Sequence, residues 1–413
     1  ATDSTQLRWR QKSSSGRNWD QWALDNINIK ASSVFNDGDA EFIISGTLKV
    51  GQTLSAIQSK DDPDGNGIFK YTWESSADKG STWKVIGTDQ SLKILIAQSG
   101  QQLRLRVQYQ DGEGFKESVT TTAVSIPLNE VIGTPGDDYF LGEYGSTRYT
   151  FNGGYDTIDY SSMSAPITLV RGGKVDKGIN GTDSFSDFPK ELIATSSEND
   201  WIDGITDGGK IASLDINLST ESLLISGIPG IDSRSISIRD FEHIQGSDTV
   251  DNLVGNALDN KLYGNDGDDI IDGRTGKDEI QGGTGDDKIQ GGTGDDKIDG
   301  GIGNDTINCG TGNDVILASI GNDICTFGSG YDTIDYTNFS QDITLIRGGS
   351  VSKGGLGTDT FTDFVESIKA TKGSNDWIDA STGSSASIDI DLSRKSLKVT
   401  GLPIDNTFTF NIH

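Results

Sequence analysis

The stretch GGTGDDKIQGGTGDDKIDGGIGNDTI, Gly282 to Ile307, repeats a nine-residue pattern in which glycine, aspartate and one aliphatic residue keep fixed places. Rows starting at Gly246, Gly255, Gly264, Gly273, Gly282, Gly291, Gly300, Cys309, Ala318 and Phe327 put Asp251, Asn260, Asp269, Asp278, Asp287, Asp296, Asp305, Asp314, Asp323 and Asp332 at the sixth place. The eighth place reads Leu253, Leu262, Ile271, Ile280, Ile289, Ile298, Ile307, Ile316, Cys325 and Ile334, an aliphatic column broken once. A period this strict restricts the chain to architectures in which each repeat stacks on the next. The pattern predicts six-residue glycine turns alternating with three-residue strands that point their aliphatic side chain inward, two rows making one coil. Residues one coil apart then stack at about 4.8 Å, which lines up the aspartates. Like charges that close repel, so the pattern requires cations between them.

Composition agrees with a cation partner. The chain carries 62 Asp and Glu against 34 Lys and Arg, a net charge of -28, which disfavours nucleic acid and anionic lipid. Only 33% of residues are hydrophobic while Gly numbers 54, too much glycine for a helical domain, so an all-β chain with few helices is expected. No apolar run approaches the roughly 20 residues that cross a bilayer, which argues against membrane insertion, and ATDSTQLRWRQ lacks a signal-peptide core. Cys309 and Cys325 lack metal-site spacing and read as separate thiols.

Calcium suits the aligned aspartates, because it takes roughly six to eight oxygens from carboxylates and carbonyls. The rows resemble the repeats-in-toxin (RTX) family, whose GGxGxDxUx nonapeptides wind into a calcium-filled parallel β-roll; the match is strong from Gly264 to Asp314 and fades outward. The resemblance implies that carbonyls at places one, two and four and the aspartate at place six bind several calcium ions. It assigns Gly282, Gly283, Gly285 and Asp287; Gly291, Gly292, Gly294 and Asp296; Gly300, Gly301, Gly303 and Asp305; and Gly310, Gly312 and Asp314. Asp269, Asp278, Asp323 and Asp332 extend the set, with Asp269 sharing an ion with Asp287 and Asp278 with Asp296; Asp138 and Asp156 occupy the sixth place of weaker rows. Asn265, Arg274 and Cys309 stand where glycine is expected, and the Ala318 row has SIG for GxG, which marks those sites as weak or empty.

A longer repeat surrounds the rows. FNGGYDTIDY at Phe151 returns as FGSGYDTIDY at Phe327, ITLVRGG…GTDSFSDF returns as ITLIRGG…GTDTFTDF, and both copies reach NDWID, at Asn199 and Asn375. These segments read as calcium-poor β layers of the same solenoid, with Asp183, Asp187, Asp359 and Asp363 as solvated turn residues. Residues 36–128 alternate apolar and polar residues in short strands, which predicts an antiparallel sandwich with Trp73 in its core, and they resemble a bacterial immunoglobulin-like module. In it, Asp62-Pro-Asp-Gly-Asn-Gly67 imitates the start of a helix-loop-helix calcium loop, but Trp73 stands where the closing Glu belongs, so a plain turn is expected. Leu7 to Ile29, within residues 1–35, resembles the closing strands of a jelly-roll. Residues 129–245 form a first roll unit and 246–413 a second.

No HExxH, GxSxG or phosphate loop is present, and carboxylates that recur by period do not form one catalytic pair, so no enzymatic activity is expected. His243 reads as a packed or surface residue rather than a base. The expected function is a structural or adhesive segment of a secreted, extracellular cell-surface protein, with calcium, further copies of itself or surface polysaccharide as partners. The alternatives are the calcium-binding region of a secreted enzyme or toxin, and a carbohydrate-binding module using Trp9, Trp19, Trp22, Trp201 or Trp377. Because FTFNIH stops where the first copy enters its rows, the pattern predicts continuation past His413 and a jelly-roll before Ala1.

Overall fold

The computed structural model describes residues 36, 38–205, 213–226, 233–346, 349–363, 365–372 and 375–379, and the backbone of Ser387–Asp391, Ser396–Thr400 and Phe408–Ile412. Leu7 to Ile29, with Trp9, Trp19 and Trp22, and His413 lie outside the described residues.

Alternating sequence makes the first unit. Glu41–Ser45, Thr53–Lys60 and Ser91–Lys93 form one antiparallel sheet; Lys84–Gly87, Lys70–Ser76, Gln102–Gln110 and Lys116–Thr120 form a second, with Val124–Ser125 beside Gln102–Gln110. In QLRLRVQYQ the leucines, Val107 and Tyr109 turn inward while Arg104 and Arg106 turn out to Glu74. One core of Phe42, Leu54, Trp73, Ile94, Leu103, Leu105, Val107 and Ile126 joins the two sheets. Trp73 is fully buried and its indole N–H donates to the Asp89 carbonyl at 2.9 Å, so the ring's one polar atom is satisfied.

From Asn129 onward the described strands belong to two long, mostly parallel sheets of 15 and 16 strands. Leu262 pairs with Ile280, Ile280 with Ile298, Ile298 with Ile316 and Ile316 with Ile334 along one sheet; Ile271, Ile289, Ile307 and Cys325 follow one another along the other. These column residues are buried in one continuous core. Cys309 and Cys325 are buried free thiols.

The strands are longer than the three residues expected. Glu279–Thr284, Lys288–Thr293, Lys297–Ile302 and Thr306–Thr311 are each six residues, because the strand runs on through place one and places two and three also pair with the neighbouring coil, as Gly283 does with Gly301. A row therefore spends only three residues turning. Antiparallel insertions lengthen single coils: Thr344–Ile346, Ser350–Ser352 and Thr358–Phe361 form a meander, after which the ladder resumes with Cys325 against Phe361. Thr168–Val170, Lys174–Asp176 and Thr182–Phe185 repeat it in the first copy.

The inward column is the main apolar contribution of the regular rows, so its truncation should be costly. In saturating calcium, Ile298→Ala should lower unfolding stability by about 2–5 kcal/mol, against under about 0.5 for the exposed Lys288→Ala, measured by urea denaturation. Equal midpoints would contradict a core built on this column.

Candidate calcium centre

The turn is built by close approach. At place two, Gly283, Gly292, Gly301 and Gly310 have positive φ, and a Cβ on Gly301 would lie 2.0 Å from the Gly283 carbonyl oxygen one coil below. Asn265 and Arg274 hold the same left-handed conformation, φ 81° and 77°, in the coil before Gly283 and Gly292. Place one needs glycine for another reason. A Cβ on Gly282 would sit 2.3 Å from Asp287 Oδ2 and 2.4 Å from the Gly300 carbonyl oxygen. A carboxylate oxygen and a carbonyl from the next coil thus converge on the space beside a glycine that keeps it open.

The place-six aspartates form two columns. In one, the amide of Asp251 donates to Asp269 Oδ1, Asp269 to Asp287, Asp287 to Asp305 and Asp305 to Asp323, at 2.7, 2.8, 3.0 and 3.1 Å. In the other, Asn260, Asp278, Asp296 and Asp314 donate in turn to Asp278, Asp296, Asp314 and Asp332 at 2.8 to 2.9 Å. One oxygen of each carboxylate is thereby used. The other is not: Oδ2 of Asp269, Asp278, Asp287, Asp296, Asp305, Asp314 and Asp332 is buried without a hydrogen-bond partner. Burial pushes Asp269, Asp278 and Asp305 up to about 7 and Asp287, Asp296, Asp314 and Asp332 up to about 6. For Asp269, Asp278, Asp287, Asp296 and Asp305 the unpaired oxygen lies beside a place-one glycine, and buried carboxylate oxygens in such a glycine-lined cradle fit a hard cation that takes only oxygen ligands. The place-two carbonyls of Gly301 and Gly310 also accept ladder bonds from Ile320 and Ser329, at 3.2 and 3.0 Å.

The columns end in groups that need no metal. Asp251 accepts from Leu214 N at 2.6 Å and from Ser247, and the neutral Asn260 accepts from Asn256 N and donates to the Glu242 carbonyl, both at 2.8 Å. Asp138, partly exposed, accepts from Thr134 N at 2.6 Å, while Asp156 accepts from Asp138 N at 3.1 Å. At place one, Cys309, Ala318 and Phe327 put a buried side chain where the earlier rows keep an open cradle.

Asp323 departs from its predicted role. Its Oδ2 accepts from Lys353 Nζ at 3.0 Å, and the same ammonium reaches the Ser319 carbonyl at 2.7 Å and Asp359 Oδ1. Asp359, met by the Asp323 amide 36 residues earlier, prolongs the column, and Tyr336 donates to its other oxygen at 2.7 Å. The first copy repeats the device: Lys177 Nζ reaches Asp183 Oδ1 at 2.5 Å and the Glu143 carbonyl at 2.8 Å, while Tyr160 donates to Asp183 Oδ2. Both lysines are 1% exposed, so a fixed ammonium stands among carboxylate and carbonyl oxygens, the same ligand types that a metal ion takes. Asp183 and Asp359 are therefore not the solvated turn residues expected; the insertion folds them under the roll. Asp187 does lie at the surface, paired with Arg234, and Asp363 accepts from the amides of Phe327 and Gly328.

A second ladder lies outside the expected ligands. At place five the amides of Asp286, Asn304 and Asn322 donate back to Asp268, Asp286 and Asn304, at 2.9, 2.7 and 3.0 Å. The Asp-Asp and Asn-Asp pairs of GDD and GND carried that signal. His243 is buried beside Trp201, its Nδ1 accepting from Lys261 N at 3.1 Å, and burial lowers its pKa, which suits a packed residue. Trp377 is 70% exposed and is not a core residue.

The carboxylates make the metal-free roll sensitive to pH. An unfolded aspartate titrates near about 3.9. Folded values of about 6 to 7 mean that the folded state holds the extra protons, so this stabilisation is complete below about pH 4 and disappears as pH rises through 6 to 7. Calcium-stripped protein should melt at a higher temperature at pH 5 than at pH 8, and saturating calcium at pH 8 should restore the loss; melting that is flat with pH would contradict the buried, unpaired carboxylates. For the lysines, Lys353→Met should cost about 3–5 kcal/mol in urea denaturation even in saturating calcium, because it strands two buried carboxylates, whereas Lys288→Met should cost little.

Two solved structures match the chain at low similarity. Pectate lyase PelI from Erwinia chrysanthemi, in complex with tetragalacturonic acid, is 11% identical, with 74% of this chain and 86% of that chain covered and a TM-score of 0.15. Pectate lyase Pel3 from Pectobacterium carotovorum is 12% identical, with 73% and 87% covered and a TM-score of 0.16. No curated protein matches the chain. Residues 245–280, 272–307 and 303–334 each match the family described as RTX calcium-binding nonapeptide repeat (4 copies). The rows that carry the unpaired aspartates are RTX calcium-binding repeats.

Proposed function

We propose that this chain is a calcium-folded structural segment of a secreted cell-surface protein, in which the ions between coils convert a repulsive stack of carboxylates into a stiff rod. The observation that carries the proposal is the run of seven buried Oδ2 atoms without partners along two columns. Each regular glycine-opened row contributes little more than one aliphatic side chain, which does not offset backbone ordering at about 1–2 kcal/mol per residue, so ion binding supplies folding free energy. Where free calcium is low the nonapeptide rows stay unfolded, and where it is high they fold, which suits a chain that is exported before it folds. The duplicated roll and the preceding sandwich, which we assign to the immunoglobulin-like class, extend the molecule lengthwise and support a scaffold or adhesive role rather than an enzymatic one. Surface contacts with other copies or with polysaccharide would use the solvent face, where Trp377, Tyr139 and Tyr155 are exposed.

Far-ultraviolet circular dichroism of the full chain tests this. Removal of calcium should abolish a large part of the β signal and millimolar calcium should restore it, while Asp287→Asn should shift the midpoint to higher calcium by roughly tenfold. An unchanged spectrum in excess chelator would refute the proposal.

A further inference from the structure

The end of the sandwich holds a second convergence of carboxylates, unrelated to the nonapeptide period. Two loops meet there: residues 61–67, between Thr53–Lys60 and Lys70–Ser76, and residues 111–115, between Gln102–Gln110 and Lys116–Thr120. Their glycines permit near-contact of backbone. A Cβ on Gly112 would lie 2.5 Å from the Asp64 carbonyl oxygen and one on Gly67 only 1.7 Å from the Gln110 carbonyl oxygen, and Gly112 N donates to the Gly65 carbonyl at 3.2 Å. The approach brings carboxylate oxygens of Asp62, Asp64 and Asp111 within 4.8 Å of one another. Asp62 is 4% exposed and Asp111 7%.

Part of this acidity is satisfied internally. Asp62 accepts from Asp64 N at 2.8 Å and from the Tyr109 hydroxyl at 2.6 Å, and Asp111 Oδ1 accepts from Glu113 N and Phe115 N at 3.0 and 2.7 Å. Asp111 Oδ2 is buried with no hydrogen-bond partner. Neither Asp62 nor Asp111 has an ion pair among the described residues, and the acidic Asp39 and Glu117 lie nearby. Repulsion among buried carboxylates opposes bringing these loops together, unless a cation joins them.

The geometry points to a calcium site between the two loops, with Asp62, Asp64 and Asp111 as its carboxylates. Asp62, Asp64 and Asn66 keep the alternate spacing with which a calcium loop opens, and Trp73 denies that loop its closing acid in sequence. Asp111 supplies the missing carboxylate in space, from an adjoining hairpin distant in sequence. The donors are all oxygens and no thiol or imidazole belongs to the cluster, which selects a hard divalent ion over zinc. This site ties the loops at one end of the sandwich and is independent of the roll.

Equilibrium dialysis of the full chain with radioactive calcium gives the test, since the roll's ions are common to every variant and cancel. Asp111→Asn should bind one ion fewer per chain than wild type. The near-ultraviolet signal of Trp73, buried in the sandwich core, should melt at the same or a higher temperature than wild type in calcium-stripped Asp111→Asn, and should lose the rise that calcium gives wild type. Asp64→Asn, at a half-buried position, should give the same loss of one ion and keeps the test valid where substitution of the buried residue disturbs folding. Unchanged stoichiometry in both variants, with the same calcium-dependent rise in the Trp73 transition, would overturn the site.

Discussion

A carboxylate oxygen buried beside other carboxylates must meet a positive charge or take a proton, and most of the roll follows from this requirement. The nonapeptide spacing turns one such oxygen per row toward carbonyls of the next coil, while the partner oxygen is consumed by an amide one coil away. The ladder fixes the position of each carboxylate, so the charge cannot escape by rotating into solvent. Desolvation then favours protonation, as the elevated values of Asp269 and Asp305 show, and calcium supplies the alternative at neutral pH.

The two buried lysines solve the same problem without a metal. Lys353 carries three donors on a flexible stem and meets two carboxylates and a carbonyl at the end of one column. A covalently attached cation is present at any calcium concentration, so the inserted layers are not tied to the ion as the regular rows are. The insertion also explains why the column survives a gap of 36 residues, since the meander carries both the lysine and the next aspartate back into the ladder. A stack of calcium-binding repeats is thereby followed by a layer that brings its own charge.

Glycine has two separate tasks in this molecule. At place two it provides left-handed backbone and lets a carbonyl of the neighbouring coil approach to a distance that no Cβ would allow; at place one its backbone is ordinary and its value is the empty volume beside Oδ2. Asn265 and Arg274 keep the left-handed backbone but carry a Cβ, so they meet the first task only in part. Cys309, Ala318 and Phe327 forgo the second, and apolar packing replaces the open cradle where the rows approach the inserted layer.

Much of the roll was legible in one dimension, because a period of nine repeated without slipping converts sequence position directly into spatial position: the aliphatic column, the 18-residue pairing and the place-six aspartates all follow from it. The sandwich strands were legible from alternation alone, as in QLRLRVQYQ. Features that break the period were not. Lys177 and Lys353 each precede a GTD motif in the two copies, yet only a meander folding back on the column shows that their ammonium groups enter it and that Asp183 and Asp359 are buried. Likewise DPDGNG reads as a turn until a hairpin distant in sequence presents Asp111 to it. The sequence by itself determined the repeat, its register and its demand for cations, since these depend on local spacing. Tertiary structure decided which carboxylates are left unpaired and which are met by lysine, because that depends on segments brought together across a change of period.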